Sequence, residues 1–413
     1  MSEQNLGSSE AGTRGGDLTT ETAGAGTLLT ILRDGQARTR TELMRLTGLA
    51  RSTVTIRLDG LLDQRWITPA GPSVSSGGRP AVAFAFNPRA RVVLAADLGA
   101  MHARAAVTDL SAQVIAEHRA EMAIAEGPEK VLGWLVDTFT ELLADSGHTL
   151  ADVCGAGVGL PGPVSHDTGR PVNPPIMPGW DGFDVPGWLG ARLRTADREV
   201  PVLVDNDVNI MALGEHWVSG HAVEHMLFVK LGTGIGSGVI TEHRLHRGAQ
   251  GAAGDIGHIR TVRPGAVGAE TVCRCGNTGC LEAVAGGAAL TARLNEAGLP
   301  ARTAEDVVRH VRAGEHTALA LVRQAGRDLG EVLSSLVNFF NPDLIVVGGE
   351  LADAGEHLIA GVRERVYSRS LPLATAHLQI RVSGAGERAG VVGAAVLVIE
   401  DALAPDAVDR SLT

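Results

Sequence analysis

The residues best suited to chemistry in this 413-residue chain sit in one short stretch, Cys273-Arg274-Cys275-Gly276-Asn277-Thr278-Gly279-Cys280-Leu281-Glu282, with Gly254-Asp255-Ile256-Gly257-His258 upstream. Three of the four cysteines fall within eight residues. Thiolates this close either bind a metal or form a disulfide. The single residue between Cys273 and Cys275 closes too small a ring for a relaxed disulfide. Cys273, Cys275 and Cys280 with the imidazole of His258 make a Cys3His set, a closed tetrahedral zinc site. Gly276 and Gly279 let the backbone turn tightly enough for the thiolates to converge. The plainer account is a chance grouping of small core residues.

Other polar clusters lie at the ends of apolar runs. Pro201-Val-Leu-Val reads as a strand that ends in Asp205-Asn206-Asp207 and then enters a helix. Carboxylates at a strand end over an α/β cleft are a usual ligand position. Asn and Asp are also preferred helix N-caps, and the two roles are compatible. Gly232-Thr233-Gly234-Ile235-Gly236-Ser237-Gly238 exposes alternate backbone N–H groups able to cradle an anion. Val92 to Asp97 is an apolar strand ending in Asp97-Leu98-Gly99, with a return strand from Arg104; an ordinary hairpin fits this stretch as well. Gly159-Leu-Pro-Gly162 and Gly348-Gly349-Glu350 add two further turn loops.

The cysteine spacing and these loops, in this order from about Arg91 to the C-terminus, resemble the signature of the ROK family of sugar kinases and sugar-responsive transcriptional repressors. The resemblance implies a two-lobed actin-like (ribonuclease H-like) sugar-kinase fold. It also implies a structural zinc that fixes the loop carrying Asp255, His258 and Glu282 toward a bound sugar. Asp207 becomes the general base in the kinase branch, or a plain acceptor of the same sugar hydroxyl in a repressor. Asn206 becomes a second sugar contact. Asp97, Gly99, Gly232, Thr233, Gly234, Gly348 and Gly349 correspond to the nucleotide loops of the kinases, with ATP and Mg2+ as cofactors only if this chain is a kinase. Two departures stand out. Ala100-Met101 replaces the Gly-Thr of the kinases, removing a close-approach glycine and a hydroxyl donor. Asp255 stands where Glu is more usual and is one methylene shorter.

These sites need a frame and, upstream of it, a second module. The chain is 44% hydrophobic and 20% charged, as expected of globular α/β domains, and its length suits two or three of them. Its net charge of −11 is unevenly spread. Between residues 33 and 91, ten arginines oppose Asp34, Glu42, Asp59 and Asp63, a local balance of +6 that leaves −17 elsewhere. A basic module on an acidic body is the asymmetry of a DNA-binding head on a sensor. Helical periodicity over 23–33 precedes Thr39-Arg-Thr-Glu42, a capping box opening a second helix in which Leu43, Leu46 and Leu49 are expected to bury. Thr47-Gly48-Leu49 forms the turn into a third helix over 51–64. Strands at 66–68 and 81–86 flank a Gly/Ser-rich tip, so the unit resembles a winged helix-turn-helix. Arg51, Ser52, Thr53, Thr55 and Arg57 on the third helix, and Arg79 at the wing tip, are the candidate DNA contacts. A solvated helix face on a purely structural module is the plainer alternative.

The expected organisation is therefore a disordered tail (1–22), a winged helix-turn-helix head (23–90) and a sugar-binding domain (91–413). That domain divides into a small lobe (91–204 with a C-terminal helix over 389–405) and a large lobe (205–388). The expected function is a repressor that binds operator DNA as a dimer and changes its DNA affinity when a monosaccharide or sugar derivative binds, with a dimer or tetramer expected as its homo-oligomer. An ATP-dependent sugar kinase retaining a DNA-binding head is the alternative. No apolar run reaches membrane-spanning length, the N-terminus has no signal-peptide core, and thiols arranged for metal suit a reducing compartment, so a cytoplasmic location is expected.

Overall fold

A computed structural model describes residues 24–72, 81–261 and 270–412 of the protein. The tail over 1–22 and Arg79 at the wing tip lie outside them. Two compact units result: residues 1–90 with 403–413, and residues 91–402. The residues from 403 on, expected within the domain over 91–413, group with the first unit instead.

In the first unit, α1 (Ala25–Leu32) precedes a two-residue strand β1 (Arg38–Thr39), α2 (Arg40–Thr47), α3 (Arg51–Asp63), β2 (Ile67–Pro72) and β3 (Val82–Phe86). Thr39 caps α2 through the full capping box with Glu42, and Gly48 closes it at φ 71°, a left-handed position that suits glycine. Leu28, Leu29, Leu32, Leu43, Val54, Leu58 and Leu61 form the head's interior. Leu49 is buried as expected, but Leu46 is 49% exposed. A two-turn helix covers only a narrow stripe, which Leu43 already fills. The three strands pair in the order β1-β3-β2, a small antiparallel wing.

The second unit contains two five-stranded sheets with one shared topology. The first is built from β4 (Val92–Leu98), β5 (His102–Asp109), β6 (Val114–Glu121), β7 (Val153–Leu160) and, after the short pair β8 (Val164–Ser165) and β9 (Arg170–Pro171), β10 (Val202–Asn206). Helices α4 (Pro128–Asp145) and α5 (Val185–Gly190) cross between its parallel strands, and α6 (Asp207–Val218) follows β10. The second sheet uses β11 (Met226–Leu231), β12 (Ile235–Thr241), β13 (Arg244–His246), β14 (Leu344–Gly348) and β15 (Gln379–Val382). Helices α7 (Leu281–Ala285), α8 (Gly287–Glu296), α9 (Ala304–Arg312) and α10 (His316–Phe340) precede β14, and α11 (Glu356–Arg369) and α12 (Pro372–Thr375) precede β15. The strand orders, β6-β5-β4-β7-β10 and β13-β12-β11-β14-β15, are the same pattern written twice: a three-stranded antiparallel meander extended by two parallel strands.

Helix α13 (Ala389–Ala402) packs against α6 and against β4 and β7. Glycines permit this close crossing: a Cβ on Gly393 would collide with the Ile210 carbonyl, and one on Gly214 with that of Ala389. The chain ends with α14 (Pro405–Ser411), in the first unit.

Candidate functional site

The parallel strands of both sheets end on one cleft of about 840 Å³. Such a crevice at the carboxyl ends of strands is where open α/β sheets bind ligands. All five residues expected to contact sugar, Asn206, Asp207, Asp255, His258 and Glu282, line it.

At the end of β10, the dihedrals turn from extended at Asn206 into α6. The Asn206 side chain caps the helix by accepting from the Val208 N–H (3.0 Å), while its Nδ2 donates to the Gly162 carbonyl at 2.7 Å. Asn206 therefore ties the β10 end to the Gly-Pro loop. Asp205 is buried and fully engaged, accepting from Arg247 Nε and Asn209 Nδ2, both at 2.7 Å. Asp207, 8% exposed at its side chain, receives the ammonium of Lys230 at 2.5 Å on Oδ2. Burial pulls the Lys230 ammonium down, but Asp207 and Asp97 outweigh it and hold the group above the ordinary lysine value.

Asp97, at the end of β4, is buried, and its Oδ1 has no hydrogen-bond partner among the described residues. Burial raises its pKa, against the nearby Lys230. The β4–β5 turn closes with Gly99 N–H donating to the His102 carbonyl (2.8 Å). Met101 is 61% exposed there, and the His102 ring lies where a side chain on Gly99 would go. His102 Nδ1 is 3.8 Å from Glu350, just past Gly349, whose φ of +83° favours glycine.

In the glycine loop between β11 and β12, the Glu282 carboxylate accepts from the Ile235 N–H at 3.1 Å. A Cβ on Gly234 would strike that carboxylate. One N–H of the loop, that of Ile235, is thus already taken by the Glu282 carboxylate. Gly232 donates back to Gly234 (3.0 Å), and its carbonyl accepts from Gly287, tying the loop to the helices that follow Glu282.

Beside it, the ligand atoms of His258, Cys273, Cys275 and Cys280 all lie within 4.8 Å of one another, a group able to hold a metal ion. Cys275 and Cys280 sulfurs are 3.7 Å apart, and Cys273 Sγ is 3.6 Å from His258 Nδ1. Gly276 (φ 90°) and Gly279 (φ 70°) make the turns. Burial pushes the Cys280 thiol up to about 12 and also raises Cys273, while the Asn277 backbone N–H lowers Cys275. His258 faces both the metal group and the cleft; Asp255, exposed, enters from the same loop.

On α3 of the head, Arg51 and Ser52 are exposed on the leading turn, and Thr53 and Thr55 are half-buried. Arg57 is half-buried too, its Nη1 enclosed without a hydrogen-bond partner among the described residues, while the neighbouring Ile56 is 71% exposed. Sequence reasoning overlooked Ile56, Arg247 and Lys230. For Lys230 a signal existed: the chain has only two lysines, and this one ends an apolar strand before a glycine loop.

Residues 93–401 match the ROK family. The xylose repressor of Caldicellulosiruptor bescii is 29% identical over 91% of this chain and 95% of its own length. Among solved structures, a ROK family transcriptional regulator described as a homologue of the E. coli MLC protein aligns with TM-score 0.77 and 25% identity, covering 94% of this chain and 98% of that one. A ROK family glucokinase from Streptomyces griseus, in complex with glucose and AMPPNP, aligns with TM-score 0.61 and 27% identity over 74% of this chain and 98% of its own. The chain belongs to the ROK family.

Proposed function

We propose that this protein is a sugar-responsive transcriptional repressor. The observation that carries the reading is the union, on one chain, of a winged helix-turn-helix and a ROK cleft, similar over 94% of its length to a ROK transcriptional regulator. The head binds a pseudo-palindromic operator as a dimer, with α3 in the major groove and Arg51, Ser52, Thr53, Thr55 and Arg57 nearest the bases; Arg79 is assigned to the minor groove or a phosphate. A monosaccharide or sugar derivative enters the cleft and binds one conformation of the dimer more tightly than the other. Moving the population from 1:99 to 99:1 takes about 5.5 kcal/mol of such differential binding.

Sugar hydroxyls have natural partners here. Asp207 and Glu282 each have one oxygen engaged by the protein, Oδ2 by Lys230 and Oε2 by Ile235, which orients the other to accept a hydroxyl. Asn206, Asp255 and His258 complete the set. Zinc is the metal assigned to the Cys3His group. Zinc–sulfur bonds of about 2.3 Å at tetrahedral angles put sulfurs about 3.7 Å apart, and the Cys275–Cys280 spacing supports that geometry. Its role is to hold His258 and the Asp255 loop in place. Among the described residues, no helix is long and apolar enough to cross a membrane.

The kinase alternative draws on Asp207 at a strand end beside a glycine loop, and is opposed by Ala100 and Met101 in the first loop. The deciding experiment selects a binding site from random duplex DNA, then titrates free monosaccharides into the complex and follows anisotropy. Sugar-triggered release supports the repressor. Phosphorylation of a hexose in a coupled assay, abolished by Asp207→Asn, would establish the kinase instead.

A further inference from the structure

Lys230 is the penultimate residue of β11, its Cα paired with Gly236 on one side and Gly348 on the other, so glycines flank it on both neighbouring strands. It is one of two lysines in a chain with 36 basic residues in all. An ammonium is a compact point charge with donors in three directions, whereas a guanidinium is a planar fork. The Lys230 side chain is 19% exposed and reaches Asp207 Oδ2 at 2.5 Å. Its charge also acts on Asp97, from the opposite sheet, and on Glu350. Asp97 lies at the end of β4 and Asp207 opens α6 just after β10, while Glu350 follows β14 and the lysine lies on β11. Buried carboxylates converging from separate elements are the oxygen donors a divalent cation such as Mg2+ takes. Here the Lys230 ammonium already meets one of them, Asp207.

We propose that the Lys230 ammonium, bonded to Asp207, is a resident cation that takes the place a divalent ion would otherwise have at the cleft acids Asp97 and Asp207, so that the cleft takes its sugar without a divalent ion there. Two consequences follow from the geometry. A divalent ion at the acid pair would sit against the positive charge that Lys230 already brings to the buried Asp207 carboxylate. The Asp207 oxygen bonded to the ammonium is closed to a metal ion or a sugar hydroxyl, while the second oxygen still accepts a hydroxyl hydrogen bond. The inference rests on the repressor reading only for the sugar; the ion-site claim stands on the acids and the lysine.

The test uses the full-length protein and Mn2+ alone, with free Mn2+ read by electron paramagnetic resonance. Wild type and Asp97→Asn should take up Mn2+ equally, because the acid pair is not a metal site while Lys230 is present. Lys230→Met should acquire a site about tenfold tighter or more than any in the wild type, and Lys230→Met with Asp97→Asn should lose it. Weaker Mn2+ uptake by Asp97→Asn than by wild type would overturn the proposal. So would a Lys230→Met protein with a wild-type thermal transition and no gained site. If Lys230→Met does not fold, the comparison of wild type with Asp97→Asn still decides: equal uptake supports the proposal, and weaker uptake sinks it. Sugar that left DNA binding unchanged would count against the repressor reading and would not alter these Mn2+ outcomes.

Discussion

The backbone N–H of Gly26 donates to Asp409 Oδ1 at 2.9 Å, joining the first helix of the head to the last helix of the chain across 383 residues of sequence. Gly26 must be glycine there, since a Cβ would run into the backbone of Pro405. Leu403 and Val408 are buried in the same unit, so the C-terminus completes the head's core.

Replacing Asp409 with Ala leaves the Gly26 N–H without its charged acceptor and should cost the head about 1–2 kcal/mol. Hydrogen exchange over residues 25–32 reads this locally. Protection equal to wild type would mean that the contact contributes nothing.

Cys275→Ser should remove the metal. Elemental analysis is expected to fall from about one zinc per chain to near none, because a tetrahedral site that loses one of four ligands binds far more weakly. An unchanged zinc content would contradict the assignment of Cys275 as a ligand.

Asp207→Ala should leave operator affinity intact and abolish the response to sugar. Anisotropy titrations with and without the inducing monosaccharide separate the two effects. Induction that survives the change would move the sugar site elsewhere.

Arg51→Ala should weaken operator binding by about 1–3 kcal/mol if the guanidinium reads a base, and relax specificity at that base pair. Arg57 differs, because its guanidinium is partly enclosed by the head. Arg57→Ala should therefore lower the melting temperature as well as affinity, which differential scanning calorimetry measures.

The buried ring of His216 supplies a pH dependence. Burial, with His221 and His243 beside it, pushes its pKa down to about 4 from an ordinary value of 6.5. Between those values the unfolded chain binds the proton and the folded chain does not, so stability should fall as pH drops from about 6.5 to 4, by about 1–3 kcal/mol. His216→Leu should flatten that slope in urea melts at stepped pH. A slope identical to wild type would assign the acid sensitivity to other groups.

Several features were legible because they are local. The Thr39–Glu42 capping box and the Gly48 turn lie within a few residues, where chain geometry alone dictates the contact. The Cys3His set was legible for the same reason: three ligands share eight residues, and only His258 comes from outside. The doubled sheet topology was not legible, since a shared strand order leaves no sequence periodicity to read. Leu46 misled because apolar spacing does not say how wide a stripe the neighbouring elements cover.

By itself the sequence determined the helices of the head, the group of residues able to hold a metal, the family and the acidic strand ends of the cleft, all encoded in short stretches of chain. Tertiary structure decided what those acids do. It set the Lys230 ammonium on Asp207, folded Glu282 into the glycine loop, left a buried oxygen of Asp97 without a hydrogen-bond partner among the described residues, and returned the C-terminus to the head. Each of these contacts joins residues at least 23 apart or depends on what other strands enclose. A carboxylate reads the same in a sequence whether it waits for a metal or already holds a lysine, and only the packing of β4, β10 and β11 around one point distinguishes the two.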